Sequence, residues 1–150
     1  IFTGGGNTFL LLKQLYEFNL FQSLKDKIER GCPYLGTSAG SNICGQHIKT
    51  TNDMPIVYPP SFNALGVVPY VINPHFVDKQ EGVQHQGESR STRLKEYLTQ
   101  NETPVIALPE GSWIRINQVQ HQVMGKASAL LFNQTGISSI KPGTNISQLV

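Results

Sequence analysis

A chain of 150 residues is one domain by length and long enough to bury a real hydrophobic core. Its 12 basic and 10 acidic residues leave a formal net charge of +2, too balanced for a nucleic-acid or membrane-surface binder. No apolar run reaches membrane-spanning length, and the two cysteines, Cys32 and Cys44, suit a reduced, cytoplasmic chain better than a disulfide framework.

The chain opens with Ile1-Phe2-Thr3, which reads as the tail of a strand running into Gly4-Gly5-Gly6-Asn7-Thr8. With no initiator methionine and no targeting sequence to read, this looks like a fragment or processed chain missing an N-terminal portion of its own fold. Asn7 or Thr8 can cap the helix that follows, and Leu11, Leu15 and Phe18 give that helix an apolar stripe. The glycines invite a dinucleotide reading, but Phe9 stands where G-x-G-x-x-G needs its third glycine. A glycine loop lending backbone N–H groups to an active site fits better. A second helix spans about Phe21 to Arg30, with Leu24 and Ile28 inward and Gly31 as its stop.

Pro33 to Ile43 then reads as a short strand, a G-x-S-x-G turn over Gly36-Thr37-Ser38-Ala39-Gly40, and the start of a helix running to about His47. This is the nucleophile-elbow pattern, in which a sharp strand-to-helix turn pushes a serine hydroxyl out at the end of a sheet. The helix N-terminus behind Ser38 favours negative charge there, and His47, at the other end, has a structural role by default. Lys49 to Leu65 is a long irregular connection of the kind that is usually functional. Val67 to Ile72 reads as a strand delivering Asn73-Pro74-His75-Phe76. A glycine-containing loop leads to a helix from about Glu88 to Thr99 that carries Arg90 and Arg93. Val105 to Leu108 is a buried strand ending in Pro109-Glu110-Gly111. Trp113 to Ile116, His121 to Met124 and Ala129 to Phe132 read as short antiparallel strands.

Strands alternating with helices argue for an α/β fold with a mainly parallel sheet. Gly6, Ser38, His75 and Glu110 each follow an expected strand directly, and in a parallel sheet such positions gather at one carboxyl edge. A serine hydroxyl needs a base to take its proton, and His75 is the candidate; His85 and His121 sit in looser contexts and receive no role. The histidine needs an acid in turn, for which Asp53 and Glu110 both qualify. The N–H groups of Gly6 and Ala39 form a candidate oxyanion hole.

Gly-Gly-Gly-Asn-Thr-Phe, Gly-Thr-Ser-Ala-Gly, Thr-Thr-Asn-Asp-Met-Pro-Ile, Ile-Asn-Pro-His-Phe, Gly-Glu-Ser-Arg and Leu-Pro-Glu-Gly-Ser-Trp-Ile occur in that order between Ile1 and about Met124. Together they closely resemble the peptidase E, or α-aspartyl dipeptidase, family of serine peptidases. The resemblance implies a three-layer α/β/α sandwich related to the class I glutamine amidotransferases, here a single domain over 1–150 lacking its N-terminal strands. It implies hydrolysis of the peptide bond after an N-terminal aspartate in dipeptides, without metal or cofactor. It makes Ser38 the nucleophile and His75 the base. It favours Asp53 as the triad acid, while Glu110 matches a glutamate also considered for that place. Thr37, where bacterial members tend to carry tryptophan, and serine in Gly-Glu-Ser-Arg are departures that leave the chemistry untouched. Arg90 can bind the substrate's side-chain carboxylate bidentately, and Glu88 or the acid not used in the triad can meet its ammonium. The expected partner is a small peptide, with no nucleic acid or membrane involved, and the expected state is a monomer or homodimer. The rivals are another serine hydrolase of the same fold, cyanophycinase-like or an esterase, and a non-catalytic binding domain that keeps the elbow as scaffold.

Overall fold

The structure, a computed structural model, describes residues 1–77 and 88–149; His85, and Gly87 of the Gly-Glu-Ser-Arg motif, lie outside the described residues. The elements in chain order are β1 (Phe2–Thr3), α1 (Thr8–Glu17), α2 (Phe21–Glu29), β2 (Leu35–Gly36), α3 (Ala39–Asn42), β3 (Val71–Asn73), α4 (Arg90–Leu98), β4 (Val105–Ala107), β5 (Ser112–Asn117), β6 (Gln120–Gly125), β7 (Ala129–Asn133) and β8 (Gly136–Ile140). The chain divides into two units, Ile1–Ile72 and Asn73–Val150. Among the described residues no helix is long and apolar enough to cross a membrane.

In the first unit, Asn7 starts α1 as expected: its backbone is extended and its Oδ1 accepts the Leu10 N–H at 3.0 Å. The helix buries Thr8, Phe9, Leu12 and Leu15. The expected stripe is therefore rotated, since Leu11 is half-buried and Phe18 is 66% exposed. The reason is local: α1 ends at Glu17, so Phe18 is its C-cap and falls outside the helical repeat. Phe9, Leu12 and Leu15 pack with Ile43, Ile48, Ala64 and Leu65, flanked by Leu24 and Ile28 of α2. Each large side chain so buried contributes roughly 1.5–3 kcal/mol before the entropy of ordering it.

Strands β1 and β2 pair in parallel, Phe2 opposite Leu35 and Thr3 opposite Gly36. The helix after the elbow is a single turn, Ala39–Asn42, and does not reach His47. The carbonyls of Ile43, Cys44 and Gly45, which a longer helix would use, instead accept N–H groups from Leu65, Val67 and Gly66. Gly45 also packs so closely that an added Cβ would lie 2.9 Å from the Tyr70 carbonyl oxygen. His47 consequently belongs to an isolated bridge with Asn63, and its Nδ1 accepts the Lys49 N–H at 3.4 Å. Burial, with Lys49 nearby, pushes its imidazole below the usual range, so the neutral ring is favoured there rather than the cation a helix C-terminus would hold.

A Cβ at Gly40 would lie 2.1 Å from the Thr3 carbonyl oxygen, and one at Gly36 would lie 2.4 Å from the Gly40 carbonyl oxygen. Strand, elbow and helix are thus stacked backbone on backbone, which only glycine permits. Gly40→Ala is expected to destabilise by about 1–3 kcal/mol, as overpacking of a tight interior does. A denaturant midpoint unchanged from the wild type would show that the contact can relax.

The sheet of the second unit has the order β3-β4-β7-β8, with β3 represented in that unit by Asn73. β4–β7 and β7–β8 are antiparallel. Val105, Ile106 and Ala107 are all buried, as are Ala129, Leu131 and Phe132 of β7 and Leu94 of α4. β5 and β6 form a separate hairpin, turning through Gln118 and Val119. The α/β class and the antiparallel strands near the C-terminus match expectation. β1–β2 is parallel, but β4–β7, β7–β8 and β5–β6 are antiparallel, so these pairings taken together depart from the mainly parallel sheet expected. β8 also departs from expectation, because Gly136–Ile140 is mostly exposed and carries no apolar alternation. It forms because the Asn133 side chain accepts the Thr135 N–H and hydroxyl, folding the chain back on β7.

Candidate active site

Gly6, Ser38, His75 and Glu110 each lie within three residues of the end of β1, β2, β3 and β4 respectively. In the first unit, the chain leaves β2, passes Thr37 and enters α3 at Ala39 with Ser38 at φ 54°, ψ −116°. A non-glycine residue held there stores on the order of 1–3 kcal/mol, so the surroundings must hold it. They do so through the backbone. The Ser38 carbonyl accepts N–H groups from Ser41 at 3.0 Å and Asn42 at 2.9 Å, and the Ser41 hydroxyl at 2.7 Å. The Gly40 N–H reaches the Gly4 and Thr37 carbonyls, and the Tyr34 hydroxyl donates to the Gly40 carbonyl at 2.8 Å. The Cys44 thiol also donates to that carbonyl, and burial pushes its pKa up to about 12, so it is a packed, protonated group. The half-buried Ser38 side chain takes no part in these bonds among the described residues. Because α3 is one turn long, the helix dipole expected behind Ser38 is small. Ala39, first in that turn, has an N–H without an acceptor inside the helix.

The glycine loop runs beside this serine. A Cβ on Gly5 would lie 3.2 Å from Ser38 Cβ and 3.5 Å from Ser38 Oγ. Gly6 has φ +137°, a backbone that favours glycine, and among the described residues nothing lies within 4 Å of where its Cβ would be. Gly5 is the residue that sequence reasoning passed over; its place in the middle of a glycine triplet was the available signal. Asp53, from the irregular connection, accepts the Thr8 N–H on its Oδ2 at 2.6 Å.

In the second unit, the Leu108 N–H donates to the Asn73 carbonyl and the Phe76 N–H to the Leu108 carbonyl, both at 2.9 Å. These bonds set the two strand ends side by side, and His75 Nδ1 meets Glu110 Oε1 in a hydrogen bond. His75 is itself at φ 55°. Of the four non-glycine residues at positive φ among the described residues, two are thus the expected nucleophile and base. With Nδ1 engaged by a carboxylate, the tautomer carrying hydrogen on Nδ1 is favoured and Nε2 is left able to accept a proton. Arg90 begins α4 behind the Ser89 cap; its Nη1 is buried without a hydrogen-bond partner among the described residues. Glu88, the other expected substrate contact, pairs with Arg93 Nε at 3.5 Å. Among the described residues no three His, Cys, Asp or Glu side chains gather as a metal site.

Within the second unit, then, the structure joins His75 to Glu110; within the first it sets Ser38 beside the glycine loop and engages Asp53 with the loop's helix. The model of peptidase family S51 matches residues 1–124. A "Peptidase E" of Streptomyces coelicolor is 44% identical over all of this chain and 62% of its own length. A Drosophila melanogaster protein named "Probable alpha-aspartyl dipeptidase" is 46% identical, over 91% of this chain and 57% of its own. The "Peptidase E" of Haemophilus influenzae Rd is 54% identical, over 83% and 57%. The chain therefore spans about three fifths of the length of these relatives. A crystal structure of a Listeria monocytogenes EGD-e protein described as a "Putative Peptidase E Protein" superposes with a TM-score of 0.54 at 20% identity, over 96% of this chain and 59% of that one, and so shares the fold.

Proposed function

Because this chain belongs to peptidase family S51, we propose that the protein is a serine dipeptidase that cleaves after an N-terminal aspartate. The observation that carries this reading is Ser38, held at φ 54° between glycines packed backbone on backbone. Its hydroxyl attacks the scissile carbonyl, His75 takes the proton on Nε2, and the developing oxyanion is met by the N–H groups of Gly6 and Ala39. His75 then protonates the departing amine, and water hydrolyses the acyl-enzyme by the same route in reverse. We assign the triad acid to Glu110, because its carboxylate contacts His75 Nδ1, whereas the Asp53 carboxylate is occupied by the Thr8 N–H. The shared α/β fold supports the finer architecture of a three-layer sandwich related to the class I glutamine amidotransferases. The free Cys32 and Cys44 support a reducing, cytoplasmic setting.

Arg90 is the proposed partner of the substrate's side-chain carboxylate, a reading supported by its unpartnered buried Nη1. Arg90→Ala is expected to weaken transition-state binding of Asp-X substrates by about 1.5–3 kcal/mol while leaving Ala-X hydrolysis unchanged. Equal losses on both would make Arg90 a structural residue. The substrate assignment is tested with full-length protein on Asp-Leu, Glu-Leu and Ala-Leu. A rate on Asp-Leu far above the slow rates on Glu-Leu and Ala-Leu is expected. Comparable rates on all three would point to a broader hydrolase of the same fold.

A further inference from the structure

We infer that Asp53 is a positioning residue: through the Thr8 N–H it holds the glycine loop at the setting in which the Gly6 N–H can serve Ser38. This rests on the proposed serine mechanism and deepens it, assigning Asp53 a role other than partner to the imidazole.

The loop is gripped at both ends. On the β1 side, Thr3 accepts the Thr37 N–H at 3.0 Å and Gly4 accepts the Gly40 N–H at 3.2 Å, so this end moves with the elbow. On the α1 side, the grip comes from the irregular connection. Asp53 Oδ2 takes the Thr8 N–H at 2.6 Å, and the Met54 carbonyl takes the Asn7 Nδ2–H at 2.8 Å. The Thr51 hydroxyl donates to the Thr8 hydroxyl at 3.2 Å and accepts the Asp53 N–H at 3.3 Å, closing a ring through Thr8, Thr51 and Asp53. That ring is tied to the core, because the Thr51 N–H donates to the carbonyl of fully buried Ile48. Between the two grips lie Gly5 and Gly6. Gly5 runs past Ser38, and Gly6 stands at φ +137°. Among the described residues nothing lies within 4 Å of where a Gly6 Cβ would be, and the direction of its N–H is set along the chain by where Asn7 and Thr8 are held.

The choice of a carboxylate fits this task. α1 has no acidic residue in its first turn, so Asp53 is the charge that meets its N-terminus. The bond is short and reaches an otherwise orphaned donor at the first helical position. A carboxylate needed only for charge could sit anywhere near the helix end. One bound into a ring with Thr8 and Thr51 sets a position.

The test uses the full-length protein and the variants Asp53→Asn, Asp53→Ala and, to break the ring from its other side, Thr51→Ala. Three readouts are taken: kcat and KM on an Asp-X dipeptide, the rate of Ser38 phosphonylation by a fluorophosphonate, and hydrogen exchange at the Thr8 amide. Asp53→Ala is expected to lower kcat by on the order of 10²-fold with KM nearly unchanged, as loss of oxyanion donation does. Phosphonylation should slow in parallel and Thr8 should exchange faster. Asp53→Asn keeps an oxygen that can accept the Thr8 N–H and should retain most of the activity, with a loss below about tenfold. Thr51→Ala should fall between the two, and it carries the test if Asp53→Ala does not fold. An Asn variant as impaired as the Ala variant would overturn the inference and return Asp53 to the imidazole. So would an Ala variant that changes KM alone, or one that leaves kcat intact. Wild-type protein that is not labelled at Ser38 would instead remove the serine mechanism, and Thr8 exchange would then decide separately whether Asp53 holds the loop.

Discussion

Ser38→Ala is expected to lower turnover by on the order of 10⁶-fold and to leave the unfolding transition where it was. The two halves of that expectation have separate causes. The Ser38 backbone is held by its carbonyl, which accepts two N–H groups and the Ser41 hydroxyl, and by the glycines packed around it. None of these contacts involves the Ser38 side chain. Alanine at φ 54° carries the same backbone strain as serine, so the elbow survives the change. Only the nucleophilic oxygen is lost. Turnover is measured on an Asp-X dipeptide and stability by thermal melting. Retention of more than a few per cent of turnover would contradict a serine mechanism.

Glu110→Gln is expected to lower kcat by up to about 10⁴-fold with little change in KM. The amide is the same size as the carboxylate and can keep the contact with His75 Nδ1, so the geometry is preserved. It can, however, present an N–H to that nitrogen, which favours the tautomer with hydrogen on Nε2. A ring in that state cannot take the serine proton. It also loses the negative charge that stabilises an imidazolium. His75 and Glu110 both stand at exposed strand ends, so the substitution disturbs no core contact. A variant with normal kcat and raised KM would make Glu110 a contact for the substrate ammonium instead.

Much of this was legible in short stretches of sequence. The elbow could be read because its glycines fall within one pentapeptide: a Cβ on Gly36 would strike the Gly40 backbone four residues on, and one on Gly40 would strike that of Thr3. The Asn7 cap is likewise set by a near neighbour, and Val105 to Ala107 is legible because it is apolar at every position. What escaped depended on distant residues. The end of α3 at Asn42 is decided by carbonyl capture from Leu65 to Val67, more than twenty residues further on. The Asp53 carboxylate meets a donor 45 residues away at Thr8, a contact that no spacing rule reveals. The pairing of His75 with Glu110 follows from two backbone bonds between strand ends 35 residues apart in sequence. Motif order named both acids but could not say which carboxylate reaches the imidazole.

The most direct measurement is peptide-resolved mass spectrometry of full-length protein treated with a fluorophosphonate, alone and in the presence of an Asp-X dipeptide. A single adduct on Ser38, suppressed by the dipeptide and absent after His75→Ala, is the expected result. An adduct on Ser41 or elsewhere, or none at all in an active preparation, would contradict Ser38 as the nucleophile.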